Sequence, residues 1–394
     1  MRLDGPIVGY GADVETNRHE PPATNRTQGM AMAKIVLFGA TGYTGRLTAR
    51  ALLDRGAEPV LAARNATALQ QLAADLGGIE TAVADVADPA SVRALLDRGD
   101  VLVTTVGPFL RYGGPALEAA LEAGAHYFDS TGEGPFIRRV FDRDADARQA
   151  GVALLTAFGF DYVPGNLAAA LALRDAPDAA RVEIGYFIAS PGTSGGTRAS
   201  MVGMLFERGF ALRDGDIVPE RTGARTHTFD VEGRGLTGAS IPGSEHLVLH
   251  RAHPNLREAD VYLGMPGGAA RVLQATSLVT DTVARVAPVK KMAESALNAV
   301  VKGSTGGPDA ATRARTRTWA VAETRDATGR ILSSATLAGV DPYDFTAAIL
   351  AWGAHTTLAG GLVGTGALGP VEAFGLEPLT AAAADAGLRG ATPA

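Results

Sequence analysis

The densest run of chemistry-bearing residues is Gly39-Ala40-Thr41-Gly42-Tyr43-Thr44-Gly45, which follows an apolar stretch and opens an amphipathic one ending at Gly56. A glycine turn between strand and helix suits a pyrophosphate. Gly39 makes the tight turn, Gly42 lets the backbone approach the phosphates, and Gly45 lets the helix pack close to the strand. The anion then rests against unpaired N–H groups at the helix start, with Thr41, Tyr43 and Thr44 in the same cradle. The spacing is GxxGxxG, and the competing reading is a tight turn with no ligand. In such a site the end of the second strand chooses the cofactor, because an acidic residue about twenty positions on holds the ribose hydroxyls of NAD. Here Ala63, Arg64 and Asn65 occupy that place. A cation suits the 2′-phosphate of NADP, so NADP(H) is expected in preference to NAD(H); the plain alternative is a surface arginine. Asp85, ending the third strand, is placed to accept from an adenine amino group or to hold a turn. Asp88 is the better cap for the helix beginning near Pro89. Val106, Gly107 and Pro108 follow the fourth strand, where they pass over the ribose and nicotinamide or merely punctuate a loop.

Parallel strands point their C-terminal ends at the ligand crevice, which gives two further clusters a substrate-side role. Thr131 and Glu133 follow one strand, and Phe158, Phe160 and Asp161 follow the next. A carboxylate in a cleft donates a proton if its pKa is raised, or binds a cationic substrate; Asp129 and Glu133 are equally suited to capping turns and helices. Tyr112 and Asp161 are the catalytic candidates, Tyr112 as proton donor to a carbanion left by hydride addition, against the alternative of an aromatic packed over its turn. Ser194, Gly195 and Thr197, with Arg198 beside them, read as a backbone cradle for an anion or substrate. No GxSxG elbow supports a serine nucleophile. His250 and His253 are spaced to touch one metal but have no further ligands arranged around them, so no metal is expected.

These groups are positioned by alternating strand and helix patterns between residues 34 and 156, which call for parallel βαβ units in a doubly wound sheet. After Pro164 the pattern changes. Residues 181–190, 225–233, 244–252 and 259–265 alternate like exposed strands, and 317–341 reads as a hairpin turning at Asp326-Ala327-Thr328-Gly329. The expected fold class is α/β: an N-terminal Rossmann doubly wound parallel sheet and a second α+β domain with an antiparallel or mixed sheet. The expected boundaries are a polar, disordered tail at 1–31, the NADP-binding domain at 32–165, a substrate and oligomerisation domain at 166–345, and a helical segment at 346–394. Met30 and Met32 stand before the first strand as alternative starts. Residues 346–369 approach spanning length but are diluted by Gly, Thr and His355, and read as a buried helix with a Gly-rich turn.

The chain has 394 residues, room for two domains. Its net charge of −6 argues against a nucleic-acid partner. The absence of cysteine excludes disulfides, thiolate metal sites and a cysteine nucleophile. A cytoplasmic location and a homodimer through exposed strands of the second domain are expectations, as is the absence of stable membrane insertion.

The strings GATGYTG, AARN, VGPFLRYGGP, HYFDSTGE, GFDYVPGNL and SGGT occur in that order. Together they resemble the saccharopine-dehydrogenase-like oxidoreductases, including the mycobacterial trans-acting enoyl reductases. The likeness is close from Lys34 to Asn166 and looser beyond. It implies a Rossmann domain, a second domain shaping the substrate cleft and a C-terminal helix returning to the first. Tyr162 stands where the usual family form, GFDSVPSDL, has a small residue. The implied activity is NADPH-dependent reduction of an activated C=C bond in a small molecule, carrier- or CoA-bound. Saccharopine-type imine reduction is the rival, with Arg111 and Arg198 the candidates to hold substrate carboxylates. A non-catalytic NADP(H)-binding sensor is the reading from another class.

Overall fold

A computed structural model describes residues 32–189, 194, 195, 197, 207–265, 268–284 and 306–391. The first 155 residues supply six parallel strands: β1 (Ile35–Phe38), β2 (Val60–Ala63), β3 (Thr81–Val83), β4 (Val101–Thr104), β5 (His126–Asp129) and β6 (Ala153–Leu155). Most are short and apolar because helices cover both faces of the sheet; β1, β2, β4 and β6 are buried at every position.

The second sheet is built from β7 (Arg181–Ala189), β8 (Gly209–Arg213), β9 (Asp216–Glu220), β10 (Thr226–Val231), β11 (Arg234–Ile241), β12 (Glu258–Gly264), β13 (Arg317–Arg325) and β14 (Ile331–Gly339). Then β15 (Gly366–Ala367) crosses back to the first sheet, and β16 (Leu388–Gly390) to the second. The first sheet therefore has the order β15-β6-β5-β4-β1-β2-β3. β1 pairs with β2 on one side and β4 on the other, so the strand order reverses at β1. In open α/β sheets the ligand crevice lies outside the strand ends at such a switch point.

The second sheet runs β10-β11-β12-β7-β13-β14-β16, with β8 and β9 attached through β12. It is mixed, since β12 runs parallel to β7 while its other pairs are antiparallel. The hairpin at Asp326–Gly329 forms as its sequence predicts, with Asp326 Oδ1 accepting from Thr328 N at 2.9 Å and Arg330 N at 3.1 Å. Residues 244–252 do not form a strand. They form the helix Glu245–Ala252, whose first five residues are all buried. A two-turn helix enclosed on nearly every side carries neither a clear 3.6 nor a clear 2.0 period, so the alternation there was misleading.

Val163–Arg174 is a helix buried around most of its circumference, because it lies between the second sheet and the C-terminal helices. The helix Pro342–Leu358 packs on the helix Tyr43–Asp54 and against β1, β4 and β5. It is capped by Asp341 Oδ1, which accepts from Tyr343 N at 2.9 Å. No described helix is long and apolar enough to cross a membrane.

Candidate active site

At the switch point a cleft of about 510 Å³ opens, lined at one end by Gly39, Thr41, Gly42, Tyr43 and Thr44. That volume is within the range of ligand pockets. Gly39 has φ +91°, and a Cβ there would lie 2.8 Å from Thr105 Oγ1. Gly45 does not line the cleft; a Cβ on it would strike the Gly39 carbonyl oxygen. The two glycines thus have separate jobs, the turn and the helix approach. Gly42 differs again, since an added Cβ would meet only the Gly39 oxygen, at 3.2 Å, leaving its backbone open to the cleft. The helix ladder starts with Arg46 N donating to Gly42 O at 2.9 Å. The amides of Tyr43, Thr44 and Gly45 precede that first bond, the arrangement that holds an anion.

Arg64 follows β2 directly and lines the cleft with its side chain exposed. Asn65, not Arg64, caps the next helix, its Oδ1 accepting from Ala68 N at 3.0 Å. Asp85 lines the cleft and also holds a turn, its Oδ1 accepting from Ala87 N at 2.9 Å. Asp88 takes the N-cap position of the Pro89–Arg93 helix but makes no side-chain cap bond. Val106 and Gly107 line the cleft. Pro108 precedes the short helix Phe109–Tyr112 as its N-cap residue.

Several substrate-side candidates stand behind the cleft wall instead. Glu133 is buried, and its carboxylate accepts from Phe109 N at 2.8 Å and Leu110 N at 2.9 Å. It thereby pins the loop after β4 to the end of β5. Thr131 Oγ1 accepts from Glu133 N at 3.0 Å. Asp129 Oδ1 accepts from Thr131 N at 2.9 Å and Ala157 N at 2.8 Å, and burial pushes its carboxyl up to about 6 against these bonds. Phe158 packs edge-on to Phe128 at 5.2 Å, and Phe160 against Tyr186 at 5.7 Å. Side chains at strand ends alternate in direction, so only some residues after each strand reach the crevice. Ser130, Gly132 and Asp161 do.

Asp161 is exposed on the cleft, and the protein packed around it pushes its carboxyl up to about 6. Gly132 lies against it, since a Cβ there would sit 2.8 Å from Asp161 Oδ2. Tyr112 also lines the cleft, with the Arg111 guanidinium 5.0 Å from its ring centre.

Ser194, Gly195 and Thr197 reach the cleft from the segment that follows β7. Ser194 N donates to Tyr343 Oη at 2.7 Å, Thr197 Oγ1 lies 2.7 Å from the same oxygen, and Gly195 N donates to Gly306 O at 3.0 Å. Arg198 lies outside the described residues. Tyr343 packs edge-on against Tyr43 at 5.0 Å, tying this loop to the glycine turn. The contacts of Tyr343 and of the group around Tyr162, Tyr186 and Glu245 were not legible in the sequence, because each joins residues distant along the chain.

His250 Nδ1 lies 3.1 Å from His246 O along its own helix. Among the described residues, Glu183, His227 and Glu323 are the group whose ligand atoms converge. Arg325 already occupies the space between the carboxylates, at 2.6 Å from Glu183 Oε2 and 2.7 Å from Glu323 Oε2.

Residues 35–155 match the family described as the saccharopine dehydrogenase NADP binding domain. A trans-acting enoyl reductase of Mycobacterium leprae is 40% identical over 140 residues, 34% of this chain and 34% of that protein. Its counterpart from Mycobacterium ulcerans is 38% identical over 141 residues, again 34% of each. The chain thus spans about a third of the length of these curated relatives. Among solved structures, apo saccharopine dehydrogenase (L-Glu forming) from Saccharomyces cerevisiae has the same fold, with a TM-score of 0.57 at 13% identity over 92% of this chain and 100% of that one. With the glycine turn at the switch point, residues 35–155 are thus similar to the saccharopine dehydrogenase NADP binding domain, and that match supports NADP(H) as the cofactor.

Proposed function

We propose that the chain is an NADPH-dependent reductase of an activated C=C bond, of the kind found in enoyl thioesters, with Asp161 holding the proton the substrate takes up. The observation that carries this reading is the chemistry of the cleft beyond Gly107. Phe109, Tyr112, Pro135, Tyr162, Ile241, Pro242 and Leu263 wall it, and the Asp161 carboxyl opens among them, with Glu207 also at the lining. The arginines lining it among the described residues are Arg64, on the β2 side, and Arg208. Amino-acid substrates of imine reduction carry several carboxylates and need several cations, whereas a thioester needs an apolar wall. Arg111, one candidate for that task, is exposed and stacks on Tyr112.

The amides at the start of the Tyr43–Asp54 helix would hold the pyrophosphate, and Arg64 the 2′-phosphate. When bound, NADPH supplies the hydride that reduces the double bond. The chain's own contribution is to orient the substrate against the apolar wall, exclude water and hold a proton on the Asp161 carboxyl. In the open cleft that carboxyl is already pushed up to about 6. Covering it with an apolar substrate removes its remaining water and raises it further, so the acid is protonated at the moment the electron-rich α-carbon needs a proton.

The relatives named as trans-acting enoyl reductases support the same reading. The test is to mix the protein with NADPH and crotonyl-CoA, or separately with a 2-oxo acid and an amino acid, and follow nicotinamide absorbance. NADPH oxidation with the enoyl thioester, lost in Asp161→Asn, is the expected result. Turnover with the oxo acid and amino acid alone would overturn it.

A further inference from the structure

Behind the cleft wall lies a carboxyl group that this reaction does not use. Glu245 opens the Glu245–Ala252 helix and is wholly buried. Two glycines make its room, since a Cβ at Gly165 would strike its Oε1 and one at Gly243 would strike its Oε2. Oε2 is buried without a hydrogen-bond partner. Oε1 lies 2.6 Å from the Tyr186 hydroxyl, which accepts from Gly165 N at 2.7 Å and lies 3.1 Å from the Tyr162 carbonyl oxygen. A phenol has one proton to give. If it goes to the Tyr162 carbonyl, the short contact with Glu245 needs the proton of a neutral Glu245. An ionised Glu245 would be a buried charge with one oxygen unpaired, which is the costlier arrangement. Tyr162 immediately follows Asp161, so the chain of bonds ends on the backbone that presents the cleft carboxyl.

We propose that Glu245 is a positioning residue for Asp161, holding the Asp161–Tyr162 segment in place through the Tyr186 hydroxyl. Burial pushes Glu245 up to about 8, against the Tyr186 bond, and the Asp161 charge raises it further. The titratable groups facing it are Tyr186 on β7 and Asp161 and Tyr162 ahead of the Val163–Arg174 helix. On its own helix His246 is held well below the usual imidazole range by burial, and Asp260 and Arg213 act on that ring. Burial thus pushes both carboxyls up, Asp161 to about 6 and Glu245 to about 8, with the Asp161 charge adding to the Glu245 shift. Above the upper step, that of Glu245, the ionised side chain draws the Tyr186 proton to itself and leaves the Tyr162 carbonyl to Asn166 Nδ2 at 2.9 Å and Asn166 N at 3.2 Å.

The test is carbon-13 NMR titration of protein labelled at its Asp and Glu side-chain carboxyls, in the wild type, Asp161→Asn, Glu245→Gln and Glu245→Ala. Removing the Asp161 charge moves the upper step down, and Glu245→Gln abolishes that step while leaving the lower one near 6. Glu245→Ala shifts the Asp161 step, because the Tyr186 hydroxyl loses its orientation and with it one of the bonds that hold the segment. Only the kinetic arm rests on the reductase reading: with NADPH and crotonyl-CoA, Glu245→Ala lowers kcat about tenfold or more, and Glu245→Gln recovers most of that. No turnover in the wild type would sink the reductase reading while the titration still decided this one. An upper step that ignores Asp161→Asn, or an Asp161 step identical in Glu245→Ala and wild type, overturns the proposal.

Discussion

Replacing Arg64 separates the two cofactors, because among the described residues its side chain makes no hydrogen bond or ion pair. It projects from the end of β2 into an exposed stretch of the cleft rim, and the adjoining helix is capped by Asn65. Any loss on removing it is therefore a loss of ligand contact. A hydrogen bond to a charged group contributes about 1.5–3 kcal/mol. Solvent screening at an exposed position trims that to about 1–2 kcal/mol, which is about 5–30-fold in Kd. Arg64→Ala should weaken NADPH binding by that factor and leave NADH binding where it was. Arg64→Asp should go further, since its carboxylate repels the 2′-phosphate and can accept from the ribose hydroxyls of NADH. The assay is titration of nicotinamide fluorescence with both cofactors at low and high salt, and the wild-type preference for NADPH should shrink as salt rises. Equal losses for NADPH and NADH would mean that Arg64 acts on a part the cofactors share, and no loss would mean that it is a surface arginine.

Gly45→Ala should weaken both cofactors alike and lower stability by about 1–3 kcal/mol in urea unfolding, because the new Cβ meets backbone, the Gly39 carbonyl oxygen and Ala40 Cα, rather than a mobile side chain. Unchanged binding would show that the helix approach is not what shapes the cradle. Glu133→Ala strips two charge-assisted bonds from Phe109 N and Leu110 N and should cost about 2–4 kcal/mol in the same measurement, Glu133→Gln about half; an undisturbed midpoint would refute its role as the pin of that loop. Asp129 has a folded pKa of about 6 against 3.8 for the free side chain. Its burial favours the protonated form, so its contribution to stability is complete below about pH 4 and is lost as pH rises through about 6. Asp129→Asn keeps an acceptor for Thr131 N and Ala157 N without the charge, so its stability relative to wild type should grow by about 3 kcal/mol between pH 4 and pH 8. A difference that stays flat with pH would disprove the assignment.

What could be read from the sequence was local in origin. The glycine turn, the arginine ending β2 and the strand–helix alternation each follow from neighbours within a few positions. The Asp326–Gly329 hairpin was readable for the same reason. Two hairpins passed unnoticed although their signals were of this kind. Asp214-Gly215 between β8 and β9, and Glu232-Gly233 between β10 and β11, all have positive φ, as tight two-residue hairpins require. The site residues that escaped are of another sort. Glu133 was legible as a carboxylate at a strand end, but whether it faced the cleft or pinned a loop depended on where the Phe109 amide lay, 24 positions earlier. Glu245 was legible only as part of an apolar-polar alternation, which its burial then overrode.

The division has a physical basis. A turn is decided by the φ values that one or two residues tolerate, whereas a raised carboxyl pKa is decided by everything packed within reach of it. Asp161 and Glu245 are 84 positions apart, and they influence each other because the Val163–Arg174 helix and the Glu245–Ala252 helix pack together with Tyr186 between them. Tyr343 likewise joins the Ser194 loop to Tyr43 across most of the chain. The phosphate end of the cleft is thus written in one contiguous stretch, residues 39–45, while the acid end is assembled from separate segments. A substitution in the second half of the chain can therefore alter proton supply and leave cofactor binding intact. That separation makes the carboxyl pair and the Arg64 site independent targets, and their effects should add in a double variant. A coupling between Arg64→Ala and Glu245→Gln larger than about 0.5 kcal/mol in NADPH binding would show that the two ends of the cleft communicate.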